Sequence, residues 1–120
     1  NKYIDLFGFT DVKHANIIHK TIMYIRHHFN EKINLESAAA QVFLSPTYLS
    51  RIFKEETGVT FNAFLNNVRI EQSKALLKNN NLKMIDIACM VGFESQSYFT
   101  KVFKKHMEIS PLQYRVKYNR

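Results

Sequence analysis

The sequence predicts an all-α fold, and three observations lead there. Only three glycines and two prolines occur in 120 residues, which favours helices joined by short turns over a sheet with many hairpins. Apolar residues recur at spacings of three and four, the mark of helices with one buried stripe. Most informative is a repeat. The stretch Ser45-Pro46-Thr47-Tyr48-Leu49-Ser50-Arg51-Ile52-Phe53-Lys54 returns fifty residues later as Ser95-Gln96-Ser97-Tyr98-Phe99-Thr100-Lys101-Val102-Phe103-Lys104, keeping its cap, its aromatic residues and its basic residues. The match continues through Val59-Thr60 against Ile109-Ser110 and Phe64 against Tyr114. Upstream the offset falls to forty-nine, pairing Ala39 with Ala88, Val42 with Val91 and Leu44 with Phe93, so one extra residue near Glu94 lengthens the second turn.

Seven helices follow in order. Residues 1–10 mix apolar and polar types around Gly8 and read as a linker tail. A first helix is expected over 11–29, where Ile18, Ile22, Ile25 and Phe29 form one stripe. Asn34 can cap a short helix over 35–43, with Leu35, Ala38, Ala39 and Val42 inward. Ser45 then Pro46 is a strong start signal: the serine oxygen accepts a first-turn N–H, and proline suits the first helical position. That helix runs over 46–57 and Gly58 ends it. Thr60 can cap a connecting helix over 60–79, with Phe61, Phe64, Leu65, Val68, Gln72, Ala75 and Leu76 on its inner stripe, stopped by Asn79-Asn80-Asn81. The second unit has helices over 84–91 and 96–107. Ser110-Pro111 starts a last helix over 110–118.

Short helix, tight turn, helix, twice over, is the pattern of a helix-turn-helix, whose second helix enters the DNA major groove. The predicted architecture is therefore two helix-turn-helix units, 35–57 and 84–107, joined by the long helix 60–79. The exposed face of each second helix carries the chemistry. With Tyr48, Leu49, Ile52 and Phe53 committed inward, the helix 46–57 presents Thr47, Ser50, Arg51 and Lys54. With Phe99, Val102 and Phe103 inward, the helix 96–107 presents Ser97, Thr100, Lys101 and Lys104. Neither stripe carries a carboxylate.

Arg51 and Lys101 can reach guanine O6 and N7, Gln96 can pair with adenine, and Pro46, Thr47, Ser50, Ser97 and Thr100 can line the groove. Ser45, Lys54, Ser95, Lys104 and Lys105 are placed for phosphates, helped by the capped helix N-termini at Ser45 and Ser95. A lone polar stripe would be ordinary solvated surface. The same chemical order in both copies favours readout.

Charge agrees. The net charge of +7 is uneven: residues 91–120 hold six basic and two acidic side chains, residues 31–90 seven and six. This is the footprint of nucleic-acid binding, although a basic face also suits an acidic protein, so a helical protein-interaction module is the competing reading. Other chemistry finds no players. His27 and His28 are adjacent, and His14 and His19 are five apart, poor spacings for a metal. Cys89, the single cysteine, reads as a small core residue and precludes an internal disulfide, which fits a reducing cytoplasm. The set Phe43, Phe53, Phe61, Phe64, Phe93, Phe99 and Phe103 reads as core. No phosphate loop, catalytic triad or paired carboxylate occurs, so neither enzyme activity nor a cofactor is expected. No apolar run reaches the roughly 18 residues of a membrane span.

With these residues in view, the stretch from about Ile18 to Arg120 resembles the DNA-binding domain of AraC/XylS-type transcription regulators. The most specific match is Ile87-Ala88-Cys89-Met90-Val91-Gly92-Phe93, then Ser95-Gln96-Ser97-Tyr98-Phe99, Phe103-Lys104-Lys105, Ser110-Pro111 and Tyr114-Arg115. Ser45-Pro46, Tyr48-Leu49, Arg51, Phe53-Lys54, Arg69-Ile70-Glu71 and Ala75-Leu76-Leu77 support it. The resemblance implies a reader of double-stranded promoter DNA in the bacterial cytoplasm, associated with the nucleoid, with RNA polymerase as a further partner. A sensor or dimerisation domain is expected N-terminal to this piece, which begins with Asn and by itself is expected to be monomeric. One departure stands out: Glu108 occupies a position where the family often has glycine.

Overall fold

The computed structural model describes the backbone of residues 2–118 and the side chains of residues 12–118. Among these residues the fold is all-α, with seven helices and no strand: α1 (Lys2–His28), α2 (Leu35–Gln41), α3 (Pro46–Thr57), α4 (Phe61–Leu77), α5 (Met84–Met90), α6 (Gln96–Met107) and α7 (Pro111–Tyr118). None of them is long and apolar enough to cross a membrane. The first helix starts at Lys2, nine residues before the expected Asp11, so the backbone of residues 2–10 is helical.

The chain divides into two compact units. The first comprises Asn1–His28 and Ile33–Phe64, the second Phe29–Lys32 and Leu65–Arg120. In the first, α1, α2 and α3 pack together, burying Ile18, Ile25, Ala38, Ala39, Leu49, Ile52 and Phe53. Phe53 sits edge-on to Phe64 with ring centroids 5.6 Å apart. In the second, Ile70, Leu77, Ile87, Ala88, Val91, Phe93, Phe99, Phe103 and Tyr114 form one core. There Phe103 sits edge-on to Tyr114, also at 5.6 Å. The sequence repeat is thus a repeat of packing: the pair at offset fifty, Phe53–Phe64 and Phe103–Tyr114, holds the same geometry in each unit.

Local chemistry explains the starts of the helices. Asn34 accepts the Ser37 N–H at 2.7 Å while the Asn34 N–H donates to Ser37 Oγ at 3.0 Å, a reciprocal cap. Ser45 Oγ accepts the Tyr48 N–H at 3.2 Å, and Ser95 Oγ accepts the Tyr98 N–H at 3.1 Å. Ser110 Oγ accepts the Gln113 N–H, whose side chain accepts from Ser110 N–H in return.

The two turns also match, through the backbone. Leu44 N–H donates to Ala39 O at 3.0 Å and Phe93 N–H to Ala88 O at 2.9 Å, each closing over a left-handed residue. In the second unit that residue is Gly92 (φ +99), in the first Phe43 (φ +61). A bulky residue in this region is rare and strained. Phe43 therefore does not join the core as expected. Its side chain is 93% exposed, because the left-handed backbone turns it away from the helices on either side.

Cys89 is exposed: on α5 the buried positions are Ile87 and Ala88, and the next residue lies about 100° further round. On α4, Gln72 and Ala75 are exposed, whereas Arg69, Ile70, Ser73 and Leu77 are buried, so the inner stripe rotates along the helix. Tyr48 and Val102 are only half-buried.

Helices α3 and α6 both end in a left-handed cap. Gly58 (φ +82) donates to Lys54 O at 2.8 Å, and Glu108 (φ +67) donates to Lys104 O at 2.7 Å. The turn expected of a glycine is therefore kept by a glutamate, whose Cβ is strained there and whose carboxylate lies at the negative end of the helix dipole. Glu108→Gly is expected to raise stability by about 1 kcal/mol, read as a higher urea midpoint with an unchanged slope.

Candidate nucleic-acid interface

In the first unit, α3 presents Thr47, Ser50, Arg51 and Lys54 to solvent, with Pro46 half-buried at its first turn. Leu49, Ile52 and Phe53 anchor the opposite face at zero exposure, so the outward direction of the stripe is set by the core. In the second unit, α6 presents Gln96, Ser97, Lys101, Lys104 and Lys105, with Thr100 half-buried beside them and Phe99 and Phe103 fully buried behind. Each unit therefore brings its own set of expected groove residues onto one helix.

Ser45 and Ser95 are spent partly on structure. Each oxygen accepts an N–H of its own helix, and each hydroxyl keeps a proton that can be donated to a phosphate oxygen.

The two stripes differ in how their central cation is held. Arg51 Nη1 donates to both carboxylate oxygens of Glu55 at 3.2 Å, and its guanidinium carbon lies 5.1 Å from the Tyr48 ring centroid. Both Arg51 and Glu55 remain more than half exposed. Tyr48 in turn shares a 2.7 Å hydrogen bond between its hydroxyl and His14 Nε2 on α1. The stripe on α3 thus does border a carboxylate, contrary to expectation. The four-residue spacing of Arg51 and Glu55 was a visible signal, since positions i and i+4 are neighbours on a helix. The position equivalent to Glu55 on α6 is Lys105.

Two arginines absent from the expected site grip the chain segments ahead of α2 and α5. Arg69 Nε donates to Phe29 O at 2.8 Å and Arg69 Nη2 to Glu31 O at 3.0 Å, with the guanidinium 5.6 Å from the Phe93 ring. Burial pulls its pKa below the ordinary arginine value, against the opposing pull of Tyr98 and Glu94. Arg115 donates to the carbonyls of Leu77, Asn79 and Leu82 at 2.7, 3.0 and 2.7 Å. Each guanidinium gathers the carbonyls of the segment that precedes one helix-turn-helix. No spacing in the sequence announces bonds that span 33 to 40 residues.

No group of three or more His, Cys, Asp or Glu side chains among the described residues could hold a metal ion.

A family profile described as a helix-turn-helix domain matches residues 38–117, two thirds of the chain. The chain belongs to the AraC-type helix-turn-helix family. Regulatory protein PocR of Salmonella typhimurium is 36% identical to this AraC-type domain over 106 residues, covering 88% of the chain and 35% of its own length. Among solved structures, the C-terminal domain of AraT, a response regulator from Geobacillus stearothermophilus, is 39% identical with a TM-score of 0.82, covering 87% of each chain. The DNA-binding domain of AdpA, solved in complex with a target DNA, is 25% identical with a TM-score of 0.78, over 84% of this chain and 91% of that one. The AraC-type domain spans about a third of the length of the curated relatives it matches first.

Proposed function

We propose that this AraC-type domain binds double-stranded DNA sequence-specifically to regulate transcription, α3 and α6 reading two successive major-groove segments of one asymmetric promoter site. The observation that carries this is the recurrence, at offset fifty, of a capped helix with hydroxyl side chains and a central cation on its free face. The similarity to AdpA, whose domain was solved on DNA, supports the reading. One scaffold held twice with Thr47 against Ser97 and Arg51 against Lys101 reads two unlike half-sites, which makes the site oriented where a symmetric dimer would require a palindrome. Pro46, Thr47, Ser50, Arg51, Gln96, Ser97, Thr100 and Lys101 face the groove, and Ser45, Lys54, Ser95, Lys104 and Lys105 face phosphates. The regulator acts in the bacterial cytoplasm at the nucleoid and contacts RNA polymerase, and the 120-residue chain by itself is monomeric.

Arg51→Ala tests the assignment. A lost base contact costs about 1 to 3 kcal/mol and relaxes preference at one base pair, whereas a lost phosphate contact weakens all sequences alike. Lys101→Ala is expected to do the same in the other half-site. Selection of duplexes from a random pool, followed by binding titrations of both variants, separates these outcomes. Unchanged binding in both variants rejects the readout, and a flat response to salt points instead to an acidic protein partner.

A further inference from the structure

The two recognition helices carry different charge. On α3 the cations Arg51 and Lys54 meet the carboxylates Glu55 and Glu56, which cancels them. Within α6 Lys101, Lys104 and Lys105 meet no carboxylate, and Glu108 follows only at the C-cap. At the shared offset, Glu55 and Glu56 are replaced by Lys105 and His106. Two twelve-residue helices with the same serine N-cap thus offer DNA different charge, near zero on α3 and positive on α6.

The geometry at Arg51 gives the difference a direction. Its guanidinium is held by Glu55 and the Tyr48 ring, so any DNA group that takes it must approach within a few ångströms of a carboxylate. A phosphate brings a like charge and is repelled. A guanine edge brings the neutral acceptors O6 and N7, and a neighbouring cytosine brings an N4 donor that Glu55 itself can accept. An exposed pair at this spacing holds Arg51 only weakly, so a matched base edge can take it over. The carboxylate therefore penalises the backbone, which is common to all DNA, and leaves the base edges, which differ.

Resting on the DNA-reading function proposed above, we infer that Glu55 is a specificity-determining residue. It sharpens discrimination at α3, while Lys105, in the equivalent place on α6, adds a sequence-independent hold to that helix's own base contacts.

The test compares the 120-residue chain with E55Q and K105Q on two duplexes of equal length, one selected by the chain from a random pool and one unrelated, across 50 to 200 mM salt. E55Q is expected to tighten the unrelated duplex about three- to tenfold, to steepen its salt slope by about 0.9, and to lower the ratio of selected to unrelated affinity about tenfold. K105Q is expected to weaken both duplexes about threefold over the same range, with a shallower slope and the ratio unchanged. Both side chains are exposed, and a urea titration checks that each variant is folded. An unchanged ratio in E55Q overturns the role of Glu55 while leaving DNA reading intact. A ratio that falls in K105Q as far as in E55Q overturns the division between the helices. A parent chain that selects no duplex overturns the DNA-reading function, and the inference with it.

Discussion

Gly92→Ala is expected to lower the stability of the domain by about 3 kcal/mol. A Cβ at this position would lie 2.4 Å from Phe29 O and 2.9 Å from Arg69 Nε, in a residue whose φ of +99 already excludes most side chains. The backbone term alone is about 1 to 2 kcal/mol. The steric term adds to it because the obstructing carbonyl cannot recede freely: it is the 2.8 Å acceptor of Arg69 Nε. Urea unfolding followed by circular dichroism measures the loss. A drop below about 1 kcal/mol would mean that residues 29–32 shift at little cost.

Arg69→Met is expected to cost a similar amount, about 3 kcal/mol, from the same corner of the second unit. Methionine keeps much of the aliphatic stem but removes both donors, leaving Phe29 O and Glu31 O without their charged partner, and it removes the cation from the Phe93 ring. Arg69 is only 8% exposed, so little water is at hand to replace it. Arg69→Lys is expected to rescue little, since one ammonium cannot reproduce a fork that reaches two carbonyls. Because Gly92 and Arg69 share Phe29 O, the double variant should lose less than the sum of the singles by about 1 kcal/mol, which a double-mutant cycle reads directly.

The elements themselves were largely legible. Pro46–Thr57 and Gln96–Met107 start and stop where Ser-then-helix and the following cap place them, because capping is a local event of four or five residues. What local pattern could not supply was direction. Phe43 reads as core by type, yet a left-handed φ, unusual for any non-glycine residue, points it into solvent. Cys89 has buried neighbours in sequence but lies round the helix from them. The 17 residues of α4 divide between two compact units, so one stripe cannot describe its buried face. Of the candidate interface, the exposed positions could be anticipated from the buried ones. The tether from Glu55 to Arg51 lies just beyond the stripe of hydroxyls and cations that defines the free face. The grip of Arg69 and Arg115 depends on which loop folds back against which helix, a tertiary fact with no local trace.

Residues 29–32 follow α1 in the chain but belong with the second unit, where the Phe29 and Glu31 carbonyls accept from Arg69. The internal duplication is therefore not a pair of interchangeable cassettes. A graft that carried the second copy alone, beginning at α4, would leave behind the two carbonyls that accept from Arg69 and strand a buried guanidinium without its partners. The portable piece is the doubled unit, and recombination between relatives would be expected to trade it whole.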